Sequence, residues 1–202
     1  MFLKSPPALF LASTSGYRRE LLARVHDSFQ CAAPGVDETR LDHEGGIALV
    51  RRLALAKARA VAARHPAAVV IGSDQAATLP DGAGGEIILG KPGTEARCIE
   101  QLRSCSGRTL AFLTAVAVVR ECDDYAIEFV DTTRVTFRVL DEVTIARYVA
   151  REAPIDCAGG FKSEGLGISL CESIDSADPS ALIGLPLIRL CAALRGVGFR
   201  LP

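Results

Sequence analysis

Four cations and two acids in this chain stand where charge is costly unless something answers it. Arg18 and Arg19 fall in the first turn of a helix expected over "YRRELLARV". That end of a helix has unpaired N–H groups and a partial positive charge, so it suits acids and anions rather than cations. Lys57 falls in the middle of an apolar stripe made by Val50, Leu53, Ala54 and Val61 at about 100° per residue. A lysine there either runs its stem out to solvent or meets a buried anion. Lys91 sits before a proline in "LGKPGT", exposed or poised over a ligand. Asp74 follows "VVIG", just past the expected carboxyl end of a buried strand, where open α/β sheets bind ligands. It could hold a metal, orient water, act as a base, or cap a local turn. Glu38 lies in the loop "APGVDETR" beside Asp37, as a solvated acid or a metal ligand. Taken together, such cations answer a polyphosphate, and such acids answer a divalent metal bound to it. An anion at the first turn of the Tyr17 helix would meet free N–H groups and both arginine forks.

The elements that must position these groups are readable. Leu9 to Ala12 forms a strand, and Ser13, Thr14 and Ser15 are N-cap types for the helix that follows. "GGIALVRRLALAKARAVAARHP" forms a helix stopped by Pro66. "AAVVIGSD" forms a buried strand ending in a turn, and "DGAGGEIILGKPGT" a hairpin-like or loop segment. Thr94 caps a helix ending near Gly107. "TLAFLTAVAVV" and "YAIEFVDTTRVTFRVL" form long strands, with clear alternation at Val135, Phe137 and Val139. Asp141 opens a helix that ends before Pro154. "CAGGFKSEGLGISLCESI" is a Gly-rich loop leading into a strand. Its glycines would let a ligand approach the backbone near Lys162, Ser163 and Glu164, or make a plain surface loop. Pro186 takes the first position of the last helix and Gly196 closes it. Helices alternate with strands, with an antiparallel patch in the middle. The expected fold is α/β with a mixed central sheet and flanking helices, one domain over 1–202 with two lobes.

The chain has 202 residues, 49% of them hydrophobic, and a formal net charge of −1. That allows a substantial core and gives no global pull toward nucleic acid or an acidic membrane. Seven dispersed cysteines without a CxxC pair argue against a disulfide framework or structural zinc. They fit small core hydrophobes in a reducing cytoplasm. The three histidines have no metal spacing and read as surface residues. The start "MFLKSPPALFLAST" is too short and Pro-interrupted for a leader, and no apolar run nears the roughly 20 residues that span a bilayer. No P-loop, dinucleotide fingerprint or nucleophile elbow occurs.

In order along the chain come "LASTSGYRRELL", "APGVDE", "LALAKARAVA", "IGSDQ", "LGKP", "SGRTLAFLTAVAV", "VTFR", "CAGGFKSEGLG" and "LIGLPLIRLC". Together they resemble the Maf family of nucleoside triphosphate pyrophosphatases, from about Leu9 to about Leu194. The resemblance implies a two-lobed, Maf/ITPase-like α/β fold around a nucleotide cleft. It implies hydrolysis of a nucleoside triphosphate to monophosphate and pyrophosphate, a divalent cation (Mg or Mn), and a homodimer. The family's proton-accepting aspartate falls on Asp74. Its phosphate-handling positions fall on Ser13, Arg18, Arg19, Lys57 and Lys91, and its acidic loop residue on Glu38.

"GGFKSEG" together with "GSDQ" resembles the branch acting on 7-methyl-GTP rather than the branch acting on dTTP and UTP. That branch's specificity positions fall on Tyr17, Gln75 and Glu164. The family often has Pro-Trp where this chain has Gly16-Tyr17, and "DGAGGEI" is longer than usual. A dTTP/UTP pyrophosphatase and a non-catalytic nucleotide-binding regulator of septum formation stand as the alternatives.

Overall fold

The computed structural model describes residues 7–201. The first six residues of the stretch weighed above as a leader lie outside it. The chain runs β1 (Leu9–Leu11), α1 (Gly16–Ala23), β2 (Gln30–Cys31), α2 (Gly46–Ala62), β3 (Val69–Pro80) and β4 (Glu86–Leu89). It continues with α3 (Glu95–Cys105), β5 (Thr109–Arg120), β6 (Tyr125–Phe137), α4 (Glu142–Glu152), β7 (Cys171–Asp175) and α5 (Leu187–Gly196). Short 3-10 turns fill the segments around 158–170 and 181–183.

The strands make one mixed sheet in the order β2-β1-β3-β5-β6-β7, with β4 paired to β3 off this path. β1 runs parallel to β2 and β3, and the other pairs are antiparallel. The expected α/β class with a mixed sheet is observed. β5 and β6 are long because "TLAFLTAVAVV" and "YAIEFVDTTRVTF" are rich in β-branched and aromatic residues and contain no Gly or Pro to break them. The caps read from sequence are present. Thr94 accepts the Arg97 amide at 3.3 Å and Asp141 the Thr144 amide at 2.7 Å.

Several expectations are corrected. β3 does not end at Asp74; it continues to Pro80, because its far half finds partners in β4 and β5. Of the hairpin-like and loop readings of the segment after it, the hairpin-like one is observed, for Glu86–Leu89 forms β4 antiparallel to the end of β3. Pro186 is the N-cap of α5 rather than its first residue. Cys98 and Cys105 are buried, but Cys31 and Cys122 are exposed and the rest intermediate, so only part of the set is core. His65 stacks on the buried Phe10 ring and His26 meets Phe199 edge-on, so neither is a plain surface residue.

The decisive feature is a gap in the free edge of β3. On that edge β1 pairs only with Val69–Ile71, and β4 only with Ala77–Pro80. Residues 72–76 have a strand partner on the β5 side alone. β1 is parallel to β3, so the chain leaving Leu11 heads into the gap. β4 is antiparallel, so the chain leaving Leu89 heads into it from the other end.

Alternation along β3 then sorts side chains. Val70, Gly72 and Asp74 share the face covered by α2. Val69, Ile71, Ser73 and Gln75 share the opposite face, under the 180–185 segment and α5. α2 lies close on β3 because Gly72 has no side chain. A Cβ there would stand 2.1 Å from the Ala54 carbonyl oxygen and 2.6 Å from the Ala58 nitrogen. The start of α2 lacks a side-chain cap of its own. Glu86 of β4 replaces it, accepting the Gly46 amide at 2.6 Å, a favourable place for a carboxylate.

Gly72→Ala must push α2 off the sheet. It is expected to lower the unfolding free energy by about 2–3 kcal/mol, read by urea denaturation, whereas Gly16→Ala, with open space around it, should cost far less.

Candidate active site

A cleft of about 700 Å³ opens at the edge gap. Its floor is Asp74 and Gln75; its walls come from Ala12–Arg18, Ala33–Val36 with Glu38, Gly90–Lys91, and Asp156–Ala158 with Phe161 and Glu164.

Lys57 is the centre of the arrangement. Its ammonium stands 2.7 Å from Asp74 Oδ1 and 2.8 Å from Glu38 Oε1. Lys57 is 5% exposed and Asp74 7%, so this pair is truly buried. The Glu38 side chain is 59% exposed and approaches from the solvent side. Of the two readings of Lys57, the buried-anion one holds. A lysine amid apolar residues of α2 is answered by one oxygen from each acid. Burial pushes the Asp74 carboxyl above its ordinary range, and the Lys57 charge and hydrogen bond only partly pull it back.

Arg18 turns toward the same acids. Its Nε donates to the Gly184 carbonyl at 3.0 Å, an oxygen that also accepts Ser73 Oγ at 3.0 Å. Burial pulls the guanidinium down from its ordinary range, opposed by Asp74 and then Glu38. Arg19 is exposed and does not line the cleft. Adjacent helical positions point about 100° apart, and here Arg18 faces the cleft while Arg19 faces away from it. Ser13 is buried in the wall, and its hydroxyl accepts the Ser15 amide at 3.1 Å. Ser15, in turn, is the N-cap of α1 and accepts the Arg18 amide at 3.4 Å. Lys91 is exposed and lines the cleft from the end of β4.

Tyr17 belongs to the other half of the cleft, with Asp156, Cys157 and Glu164. Burial raises its phenol, helped by Cys157 and Asp156 and opposed by Lys162. The Cys157 thiol is pushed up to about 12 by burial and then by Asp156, so it is a neutral wall group and no nucleophile. Gln75 is not free to read a ligand with its amide nitrogen. That nitrogen, with two N–H groups, lies within hydrogen-bond reach of three acceptors, Thr114 Oγ1 at 2.9 Å and the Ala181 and Leu182 carbonyls at 3.0 Å. It fixes the turn that forms one wall. Lys162 does not line the cleft; it pairs with Glu152 and stands over the Tyr17 ring.

The structure therefore brings together Ser13, Tyr17, Arg18, Glu38, Lys57, Asp74, Gln75, Lys91 and Glu164 and leaves Arg19 and Lys162 outside. Sequence reasoning missed Asp156 and Cys157, which enter the wall because the chain turns sharply at Gly159 and Gly160, both at positive φ. It also missed Thr114, Ser73 and Gly184, whose contacts join strands to a segment more than sixty residues away. No local pattern announces them.

Such a fold and site define a mixed α/β protein with a cleft lined by charged side chains at a break in its sheet. The chain belongs to the family of Maf-like proteins, whose family model matches residues 8–197. A Polaromonas sp. relative named 7-methyl-GTP pyrophosphatase is 53% identical, over 96% of this chain and 86% of its own length. Relatives of the same name from Alkalilimnicola ehrlichii and Pseudomonas putida are 54% and 50% identical. They cover 96% of this chain, and 96% and 98% of their own lengths. The solved structure of the Staphylococcus aureus Ham1 protein is 16% identical, with a TM-score of 0.47 over 64% of this chain and 71% of that one.

Lys57→Met removes the charge and the hydrogen bond that lower Asp74, so the Asp74 midpoint should rise further. Carboxyl carbon NMR against pH reads it; an unchanged or lower midpoint would refute the bridge.

Proposed function

We propose that this chain hydrolyses 7-methyl-GTP to 7-methyl-GMP and pyrophosphate. The observation that carries the reading is the buried Lys57 ammonium bridging Asp74 and Glu38 at the floor of a cleft that Arg18 and Lys91 also line. The full-length likeness to relatives bearing that name supports it.

The two halves of the cleft divide the substrate. The triphosphate lies over Ser13, Arg18, Lys57 and Lys91, with α1 offering its first amides to an anion. The base lies against Tyr17 and Glu164. Guanine's pairing edge presents two adjacent N–H donors, which one carboxylate accepts, whereas pyrimidine edges offer no such pair. Methylation at N7 makes the ring cationic, which suits an acid and an aromatic face, the latter by roughly 0.5–2 kcal/mol.

Asp74 accepts the proton of the water that attacks the α-phosphorus. Burial, which raises its carboxyl, makes it a stronger base than a solvated aspartate. Lys57 orients the carboxylate and, with Arg18 and Lys91, offsets charge gathering on the departing pyrophosphate.

Asp74 and Glu38 are the residues that would hold a divalent cation, Mg or Mn, which supplies charge neutralisation at the phosphates. Two carboxylates fit a cation that takes its remaining ligands from phosphate and water. Among the described residues no group of three or more His, Cys, Asp or Glu is placed to hold a metal ion, so the cation would rest on these two carboxylates and the substrate. Among the described residues no helix is long and apolar enough to cross a membrane. We read the chain as a cytoplasmic, homodimeric enzyme of one two-lobed domain that engages no nucleic acid.

Asp74→Asn should cut kcat about 10²–10⁴-fold with the melting curve retained, by pyrophosphate release. Near wild-type rates would refute the assignment. In the wild type, kcat/KM should fall as pH drops through a midpoint above the usual aspartate value of about 3.9, because protonated Asp74 cannot take up a proton. Across 7-methyl-GTP, dTTP and UTP, Glu164→Gln should depress the first alone.

A further inference from the structure

Glu152, the last residue of α4, grips the loop that carries Glu164. Its Oε1 stands 2.9 Å from the Lys162 ammonium, and its Oε2 accepts the Leu166 amide at 2.6 Å. Gly165 makes the approach possible, since a Cβ there would lie 2.5 Å from Oε2. Tyr148, one turn earlier on the same helix, accepts the Lys162 amide at 3.0 Å. Phe161 anchors the loop's start against the Phe112 and Phe137 rings. The loop from 161 to 167 is thus mounted on α4 at three points.

One of those points bears on charge. The Lys162 ammonium lies 5.8 Å from the centroid of the Tyr17 ring, yet Lys162 is no part of the cleft wall that Tyr17 helps to form. A cation over one face of an aromatic ring draws on the quadrupole that would attract a second cation at the other face. It also adds direct repulsion. Left unpaired, Lys162 would oppose a cationic base in this half of the cleft. Glu152 sets a negative charge against it, in a partly buried place (side chains 12% and 26% exposed) where salt screens less. The Leu166 amide and then Lys162 hold the Glu152 carboxyl below its ordinary range, so it is charged at neutral pH.

We propose that Glu152 is a positioning residue for specificity: by neutralising Lys162 behind Tyr17, it lets the cleft prefer a cationic, N7-alkylated purine nucleotide over the neutral one. This rests on the nucleotide reading above and assigns a role to a residue outside the cleft. Glu152→Gln keeps an acceptor for the Leu166 amide and removes only the charge.

The readout is the ratio of kcat/KM for 7-methyl-GTP to that for GTP. Glu152→Gln should lower it about three- to tenfold, mainly through KM for 7-methyl-GTP. Adding Lys162→Gln should restore it to within about twofold of wild type. Lys162→Gln alone leaves Glu152 unpaired and should raise the ratio above wild type, which tests the idea even where Glu152→Gln fails to fold. Equal losses on both nucleotides, a double variant as poor as the single one, or no rise in Lys162→Gln each overturn the proposal. A wild-type protein with no preference for 7-methyl-GTP overturns the substrate reading itself and this proposal with it. Preference intact but unmoved by the three variants overturns only Glu152.

Discussion

The Lys57–Asp74 contact is the constraint from which the rest of the site follows. A lysine in the apolar stripe of α2 and an aspartate in the middle of a buried strand are each costly alone. At 2.7 Å they answer one another, and Glu38 shares the same ammonium from the solvent side. The contact depends on α2 lying against β3, which depends on Gly72 offering no side chain at the crossing. Backbone packing and side-chain chemistry are therefore set by the same few residues.

The cleft itself follows from strand lengths. β1 stops at Leu11 and β4 at Leu89, and each is paired with a different part of β3. The interval between them leaves one edge of residues 72–76 open, and the loops that leave both strands run into it. Ser13 to Arg18 arrive from one end and Gly90 with Lys91 from the other. Opposite faces of β3 then do different work. Asp74 meets α2, whereas Ser73 and Gln75 hold the 181–184 turn that supplies a further wall and orients Arg18 through Gly184.

Much of this is legible in the sequence. Helical periodicity places Lys57 among core residues of α2 and leaves two outcomes, a stem run out to solvent or a buried anion; the contact with Asp74 decides for the second. The ordered motifs selected nine residues that do share the cleft. Where sequence reasoning failed, the reason is physical in each case. Arg19 was grouped with Arg18 by adjacency, but adjacent helical residues diverge, and only Arg18 turns inward. Lys162 was expected at the ligand, but Glu152 draws it to the far side of the wall. Asp74 was placed past a strand end because "GSD" resembles a turn, yet cross-strand pairing with β5 carries the strand through it. Asp156 and Cys157 carried no signal, since their place depends on two left-handed glycines further on.

The order of residues alone determined the α/β class, the caps at Thr94 and Asp141, the stripe of α2, and the inventory of charges suited to a polyphosphate. Those properties are local: periodicity, capping and composition act over a few residues. Tertiary structure decided which charges meet, which carboxylate is buried, and which side chains are committed to holding walls rather than touching a ligand. Such outcomes depend on contacts between segments far apart in the chain, and strand register and the closeness of one helix to one glycine settle them.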